Sequence, residues 1–174
     1  GYAAKQGVKP LEYTPLVYGG GACTEDNLGN SQYKLKVVDN GLQEVPPFYY
    51  TLNGTLCTVF MDMVELRRSD SFAGEGALRI SLPFRPLNNG YPCPVNLSKV
   101  DLGANNIYSI GVINNSNIYS DSSSKKGYVV IKEVKDNNEH SNLDVTSIAN
   151  TTSNAATIRL VVTYLIDETS APNF

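Results

Sequence analysis

The chain has 174 residues, enough for one domain with a substantial hydrophobic core. Charged residues make up only 18% of the chain and histidine occurs once, whereas there are 18 Asn, 15 Ser and 11 Thr. This composition excludes long charged helices, coiled coils and histidine-rich metal sites. The net charge is -3 and the basic residues are scattered, so we expect no nucleic-acid partner; because no run of 18 apolar residues occurs, we also expect no membrane insertion.

Strand patterns follow one another along the whole chain, separated by turn-forming residues. Asn53-Gly54 is the strongest hairpin signal, because both central residues of such a tight turn need positive φ. In chain order, the predicted strands are Tyr13–Tyr18, Tyr33–Val38, Phe48–Thr51, Thr55–Arg67, Ala77–Leu82, Val95–Leu102, Ile107–Ile113, Gly127–Lys135 and Thr157–Ile166.

The remaining segments read as loops. Gly19-Gly20-Gly21 follows the first predicted strand, and a polar loop then runs through Ser31. The segment Arg85–Pro94 contains three prolines. The stretch Asp136–Asn154 is weakly patterned and predicts only a short helical turn near Asp144.

Two predicted strands alternate cleanly, and this alternation sets the fold class. Leu78, Ile80 and Leu82 face one way, and in the last strand a second set shares one face. That set is Ile158, Leu160, Val162, Tyr164 and Ile166. Short strands joined by turn chemistry predict an all-β, antiparallel β-sandwich, for which a jelly roll is the favoured variant.

The segment Leu56–Leu66 is unusual because it is apolar on both faces. One face carries Cys57, Val59, Met61 and Met63, and the other carries Leu56, Phe60, Val64 and Leu66. An antiparallel strand with one solvated face should not show this pattern. Either a loop covers a central strand, or the second face meets a partner subunit, in which case Asp62 needs an arginine or backbone donors. We expect a symmetric homo-oligomer.

The cysteines and the chain start bear on cellular context. Cys23, Cys57 and Cys93 are odd in number and match no zinc spacing, so we expect reduced thiols in a reducing cytoplasm, with Cys57 as a buried apolar residue. The chain begins with Gly1 and lacks a signal-peptide pattern, which we interpret as a fragment or a processed product.

Catalytic and metal-binding patterns are weak. His140 is the only histidine and lies in a predicted solvated loop, so we expect no catalytic residues and no enzymatic activity. The oxygen ligands in Asp136–Asp144 lack the glycine and the spacing of a calcium loop, so we expect no metal and no cofactor.

Sugar binding suits this composition better. A tyrosine offers a flat apolar face with a polar tip, and an asparagine offers both a donor and an acceptor for sugar hydroxyls. The candidate carbohydrate-binding residues are Tyr91 with Asn88 and Asn89, Tyr119 with Asn115, Asn117 and Asp121, and Tyr49.

Four sequence motifs follow one order: Tyr13–Pro15, a Y-T-x-x-G hairpin at Tyr50–Gly54 before a long strand, Leu78–Phe84 ending in L-P-F, and the closing strand Thr157–Ile166. This order of motifs resembles the one found in the C-terminal domains of bacteriophage tail fibres and tailspikes. The resemblance covers Tyr13–Phe84 and the closing strand. Pro46-Pro47 precedes the hairpin where that family usually has glycine, so its loop details are not carried over.

The resemblance implies a jelly-roll homotrimer at the tip of a viral fibre, which binds bacterial surface glycan (lipopolysaccharide or capsule) for host cell attachment. It also implies a place in the virion after assembly in the host cytoplasm. On this basis residues 1–12 are a linker from an upstream shaft or domain, residues 13–167 the receptor-binding domain, and residues 168–174 a tail. The alternatives are a purely structural trimerisation domain of a tailspike and a glycan esterase or hydrolase.

Overall fold

The computed structural model describes residues 9–21, 32–39, 43–44, 47–88, 90–93, 95–99, 107–114, 127–134, 140–150 and 153–169. The strands, numbered in chain order, are β1 (Leu11–Tyr13), β2 (Val17–Gly21), β3 (Lys36–Asp39), β4 (Gln43–Glu44), β5 (Phe48–Asn53), β6 (Leu56–Arg67), β7 (Glu75–Ser81), β8 (Tyr91–Cys93), β9 (Val95–Lys99), β10 (Ile107–Asn114), β11 (Tyr128–Val134), β12 (His140–Asn142) and β13 (Ala156–Leu165). Among the described residues, no helix has the length and apolar character to cross a bilayer.

The strands in the described ranges form two antiparallel sheets. The first has the order β1-β5-β6-β13-β9, with β3 pairing with both β6 and β4. The second has the order β2-β7-β11-β10-β8, with β12 pairing with β11. The longest pairing joins β6 to β13, so these two strands form the centre of the first sheet.

Both sheets contribute to one hydrophobic core. Met63 and Val162 come from the first sheet, and Leu78, Ile80 and Ile131 from the second, and all five are fully buried. The all-β, antiparallel prediction is therefore confirmed, with two sheets enclosing a common core.

The period-two patterns predict the buried faces correctly. In β7 and the residue after it, Leu78, Ile80 and Leu82 are buried. In β13, burial alternates from Ile158 onward, with Ile158 to Tyr164 inward at every second position and Arg159 to Leu165 outward, whereas Ala156 and Thr157 at the start of the strand are both buried. The short helical turn is also confirmed: a 3-10 turn spans Val145–Ser147, and the Asp144 carboxylate caps it by accepting a 2.9 Å bond from the Thr146 N–H.

The hairpin between β5 and β6 forms, with its turn one residue later than predicted. Asn53 pairs with Leu56, so Gly54 and Thr55 are the central residues. Gly54 has φ +62°, which suits the first central position of the mirror-image turns used in two-residue hairpins. Asn53 is therefore the last residue of β5.

A β-bulge in β6 corrects the predicted face of Leu66. Ile158 pairs with Met63 while Ala156 pairs with Leu66, so β6 contains one more residue than β13 over this interval. The extra residue inverts the alternation. Leu66 is therefore fully buried, although it shares sequence parity with the exposed Phe60.

Three further predictions about the strands are wrong. The segment Tyr13–Tyr18 is two strands, because the chain leaves the first sheet at Thr14–Pro15, where proline supplies no N–H for a ladder, and enters the second. Gly19–Gly21 extends β2 beyond the predicted strand end at Tyr18, because these glycines pair with β7, Gly19 with Leu78 and Gly21 with Glu75. Within Arg85–Pro94, Tyr91–Cys93 forms β8, whose pairing with β10 overrides the neighbouring prolines.

Candidate functional site

The outward face of the first sheet carries an apolar row that runs across three strands. Tyr49 on β5 lies opposite Phe60 on β6, and Phe60 lies opposite Val161 on β13. Their exposed fractions are 44%, 45% and 46%. We call these three residues the aromatic row. A contiguous exposed row of large apolar side chains is typical of an interaction surface rather than of ordinary protein surface.

A row of hydroxyl groups lies on one side of the aromatic row. Thr51, Thr58 and Thr163 occupy directly opposite positions on β5, β6 and β13, two residues along each strand. The Thr58 and Thr163 hydroxyls are 3.1 Å apart and hydrogen-bonded. We call these residues the threonine row.

A charged row lies on the other side. Asp62 on β6 is opposite Arg159 on β13, which is opposite Asn96 on β9. Arg159 Nε donates to Asp62 Oδ1 at 3.0 Å. Both side chains stay more than half exposed, so the pair contributes only about 0–1 kcal/mol to stability. Asp62 therefore already has the arginine partner that it would need if this face were buried against another subunit.

A groove opens between the aromatic row and the charged row. Its volume is about 440 Å³, within the range of small-ligand sites although it is open to solvent. Its walls combine apolar side chains with a carboxylate, a guanidinium and an amide. The lining side chains include Phe60, Asp62, Val95, Asn96, Arg159 and Val161.

A second apolar cluster lies at the far end of the same face. Leu56 and Leu165 are opposite one another on β6 and β13 and are 40% and 41% exposed. Leu87 is 49% exposed and donates its backbone N–H to the Leu165 carbonyl at 2.8 Å. We call these three residues the leucine end.

The structure separates the predicted sugar-binding residues. Tyr49 lies in the aromatic row on the first sheet, whereas the backbone of Tyr91 pairs with Ile113 in the second sheet. Asn88 is exposed next to Leu87. The other candidates, Asn89, Asn115, Asn117, Tyr119 and Asp121, lie outside the described residues.

The buried thiol and phenols are poor candidates for chemistry. The prediction that Cys57 is a buried apolar residue is confirmed; Cys93 is buried as well, and Cys23 lies outside the described residues. Burial raises the pKa of Cys57 from 9.0 to about 11, although a hydrogen bond with Tyr164 acts in the opposite direction. The thiol therefore stays protonated at neutral pH and is a weak nucleophile.

The positions considered for catalysis and metal binding have structural roles where they are described. The backbone of His140 belongs to β12 and pairs with Val134, so the histidine is not in the predicted loop. The sequence around it has only a weak strand pattern, and the strand forms because it pairs with β11. Asp144 caps the 3-10 turn. In the part of the chain that the structure describes, no three of His, Cys, Asp or Glu form a group that could hold a metal ion.

Comparison of the chain with protein families, with curated proteins and with solved structures finds no match. The case for a function therefore depends on the surface described above.

The sequence indicates Tyr49 and the second face of β6, but not the residues on β13 and β9 that lie beside them. Arg159, Val161 and Asn96 reach the site only through strand pairing. The available signal was the alternation of β13, whose outward positions hold an arginine, a valine and a threonine in sequence.

Proposed function

We propose that this chain is a receptor-binding domain of the kind that ends bacteriophage tail fibres, acting as a homotrimer that attaches to bacterial surface polysaccharide. The observation that carries this proposal is the exposed aromatic row between a row of hydroxyls and a row of charged and amide groups. The domain binds without chemistry.

The strand order supports a jelly roll as the finer description of the fold. In a jelly roll the chain alternates between two sheets, and the last two strands return beside the first two. Here β13 lies between β6 and β9 in one sheet, and β11 lies between β7 and β10 in the other. These six strands follow the jelly-roll order. The other strands extend the two sheets: β1 to β5 come before them in the chain, and β8 and β12 pair with β10 and β11.

The surface chemistry supports a sugar ligand. A pyranose has an apolar face formed by its C–H groups and a rim of hydroxyls that act as both donors and acceptors. Phe60 and Val161 can cover the apolar face. Asp62, Arg159 and the threonine hydroxyls can bond the rim, and charge-assisted hydrogen bonds of this type are stronger than neutral ones.

Adsorption of the isolated domain to bacterial cells tests the proposal. We expect the double variant Tyr49→Ala plus Phe60→Ala to lose at least about tenfold in adsorption, because both aromatic faces are removed. Leu11→Ala is the matched control, since Leu11 is 48% exposed on the edge strand β1 and lies outside the three rows. Thermal unfolding of each variant verifies that it folds.

A second pair of substitutions locates the site. Tyr91→Ala plus Tyr119→Ala removes the other tyrosines considered for sugar binding. Loss of adsorption in this variant alone would overturn the assignment to the aromatic row. A wild-type domain that adsorbs to no host cell and binds no glycan would overturn the receptor-binding proposal.

A purely structural role is the second candidate, and the leucine end favours it. Leu56, Leu165 and Leu87 form an exposed aliphatic cluster of the type that packs in subunit contacts. In a trimer whose copies meet there, Leu165→Ser should raise the fraction of monomer measured by light scattering. An adsorption-negative domain with this response would be an assembly module only.

A further inference from the structure

We infer that the site on the first sheet selects an uncharged pyranose, held flat over Phe60 and Val161 with its hydroxyls bonded to the threonine row on one side and to the Asp62–Arg159 pair on the other. This inference rests on the proposed glycan-binding function and specifies its ligand class.

The charge of the site argues against an anionic ligand. In the three rows on β5, β6, β13 and β9, Asp62 and Arg159 are the only charged residues, and each neutralises the other at 3.0 Å. Glu12 lies beyond Tyr49 on β1 and adds a negative charge at the edge. A carboxylate or phosphate on the ligand would therefore meet no net positive charge.

The spacing of the rows suits one sugar ring. Successive outward positions on a strand are two residues apart, about 7 Å. The threonine and charged rows thus lie about 7 Å to either side of Phe60. Half a six-membered ring, its hydroxyl and one hydrogen bond of about 2.8 Å together span about 6 Å, so the side chains of the two rows need to reach only about 1 Å toward the ring. A single pyranose can contact all three rows at once.

The hydrogen-bonding capacity left at the site is both donor and acceptor. The Asp62–Arg159 contact uses Nε and Oδ1, which leaves both Nη groups and Oδ2 without another partner among the described residues. Each hydroxyl of the Thr58–Thr163 pair has one hydrogen, so one O–H remains for a ligand. Neighbouring sugar hydroxyls require this mixture.

The experiment compares binding of the whole domain to immobilised neutral oligosaccharides, containing glucose, galactose or mannose, and to oligosaccharides bearing uronic acid or phosphate. We expect binding to at least one neutral probe, with an affinity that changes less than about twofold between about 0.05 M and 0.5 M NaCl, since no ionic contact is screened. Binding to anionic probes only, weakened about tenfold or more by the same salt, would overturn the inference while leaving the receptor function intact.

Asp62→Asn provides the sharper test because it preserves shape and exposes the Arg159 charge. We expect this variant to bind the neutral probe about tenfold more weakly and to bind anionic probes better than the wild type does. Thr163→Val should weaken neutral binding without any gain for anionic probes, and Leu11→Ala should bind as the wild type does. Unchanged neutral binding in both site variants would overturn the inference; absence of binding to every probe and to cells would instead overturn the proposed function.

Discussion

Gly54 and Gly19 lie where a side chain would be unfavourable, for two different physical reasons. Gly54 has φ +62° in the β5–β6 turn, and a Cβ added there would meet nothing within 4 Å. A Cβ on Gly19 would meet the backbone carbonyl oxygen of Glu75, as well as Val145 Cγ2 at 2.9 Å. Backbone conformation therefore governs the first position, and the close approach of β2 to β7 governs the second.

Alanine at these two positions should have unequal effects. Gly54→Ala should lower the free energy of unfolding by about 1 kcal/mol, the cost of a left-handed conformation. Gly19→Ala should lower it by about 2–3 kcal/mol, because a backbone carbonyl and a buried side chain must move. Urea unfolding of both variants measures the difference. A smaller loss for Gly19→Ala than for Gly54→Ala would show that β2 can shift away from β7 at little cost.

The β-bulge divides the strand β6 into two parts whose side-chain alternation is opposite. Before it, Phe60 faces outward and is 45% exposed; after it, Leu66 is fully buried. The Thr157 hydroxyl donates to the Val64 carbonyl at 2.6 Å, which holds the bulged segment of β6 against β13. The outward face available to a ligand therefore ends near Val64.

Truncating Leu66 should destabilise the protein more than truncating Phe60, the reverse of the order expected from side-chain size. Leu66→Ala should lower the free energy of unfolding by about 3 kcal/mol, because it leaves a cavity in the core. Phe60→Ala removes a larger side chain yet should cost about 1 kcal/mol or less, because that ring is half exposed. Urea unfolding without glycan provides the values. A larger loss for Phe60→Ala would place its ring in a packed contact rather than at an open site.

Local sequence signals predicted the elements of this fold better than their pairing. The alternation in Ala77–Leu82 and Thr157–Ile166 is a property of each strand alone, and so is the turn chemistry near Gly54. The choice of β13 as the partner of β6 brings Asp62 to Arg159 across 97 positions of sequence, and no local pattern encodes such a contact. The bulge at Leu66 depends on the same pairing. For this reason the sequence indicated an unusual face but not the residues that complete it.

Across the molecule, two tyrosine hydroxyl groups connect β1 and β13 of the first sheet to β7 and to the segment that follows β7. The Tyr13 hydroxyl on β1 donates to the Ser81 carbonyl on β7 at 2.9 Å, and the Tyr164 hydroxyl on β13 donates to the Phe84 carbonyl at 2.9 Å. Burial raises the pKa of both phenols above the ordinary value, with a further increase from nearby Cys57. Ionisation of this cluster is thus incompatible with the packed core.

Stability should therefore decline in alkaline solution. The pKa of Cys57 is about 11 in the folded protein and 9.0 in an exposed thiol, so between these values the unfolded chain has released a proton that the folded chain retains. Unfolding then releases protons, and the free energy of unfolding falls as pH rises from about 9; below that pH both states are protonated and this contribution is constant. The phenols of Tyr13, Tyr50 and Tyr164 act in the same direction at higher pH, because burial raises the pKa of each.

Urea unfolding at pH 8 and pH 10.5, at one protein concentration, should show a decrease of at least about 1.4 kcal/mol, the equivalent of one pKa unit. Tyr164→Phe is the informative variant. It should be less stable at pH 8, because the Phe84 N–H and carbonyl lose the hydroxyl that bonds both of them. Its further loss at pH 10.5 should be smaller than that of the wild type, because one buried acid is gone. An equal loss in both proteins would assign the alkaline transition to groups outside this cluster.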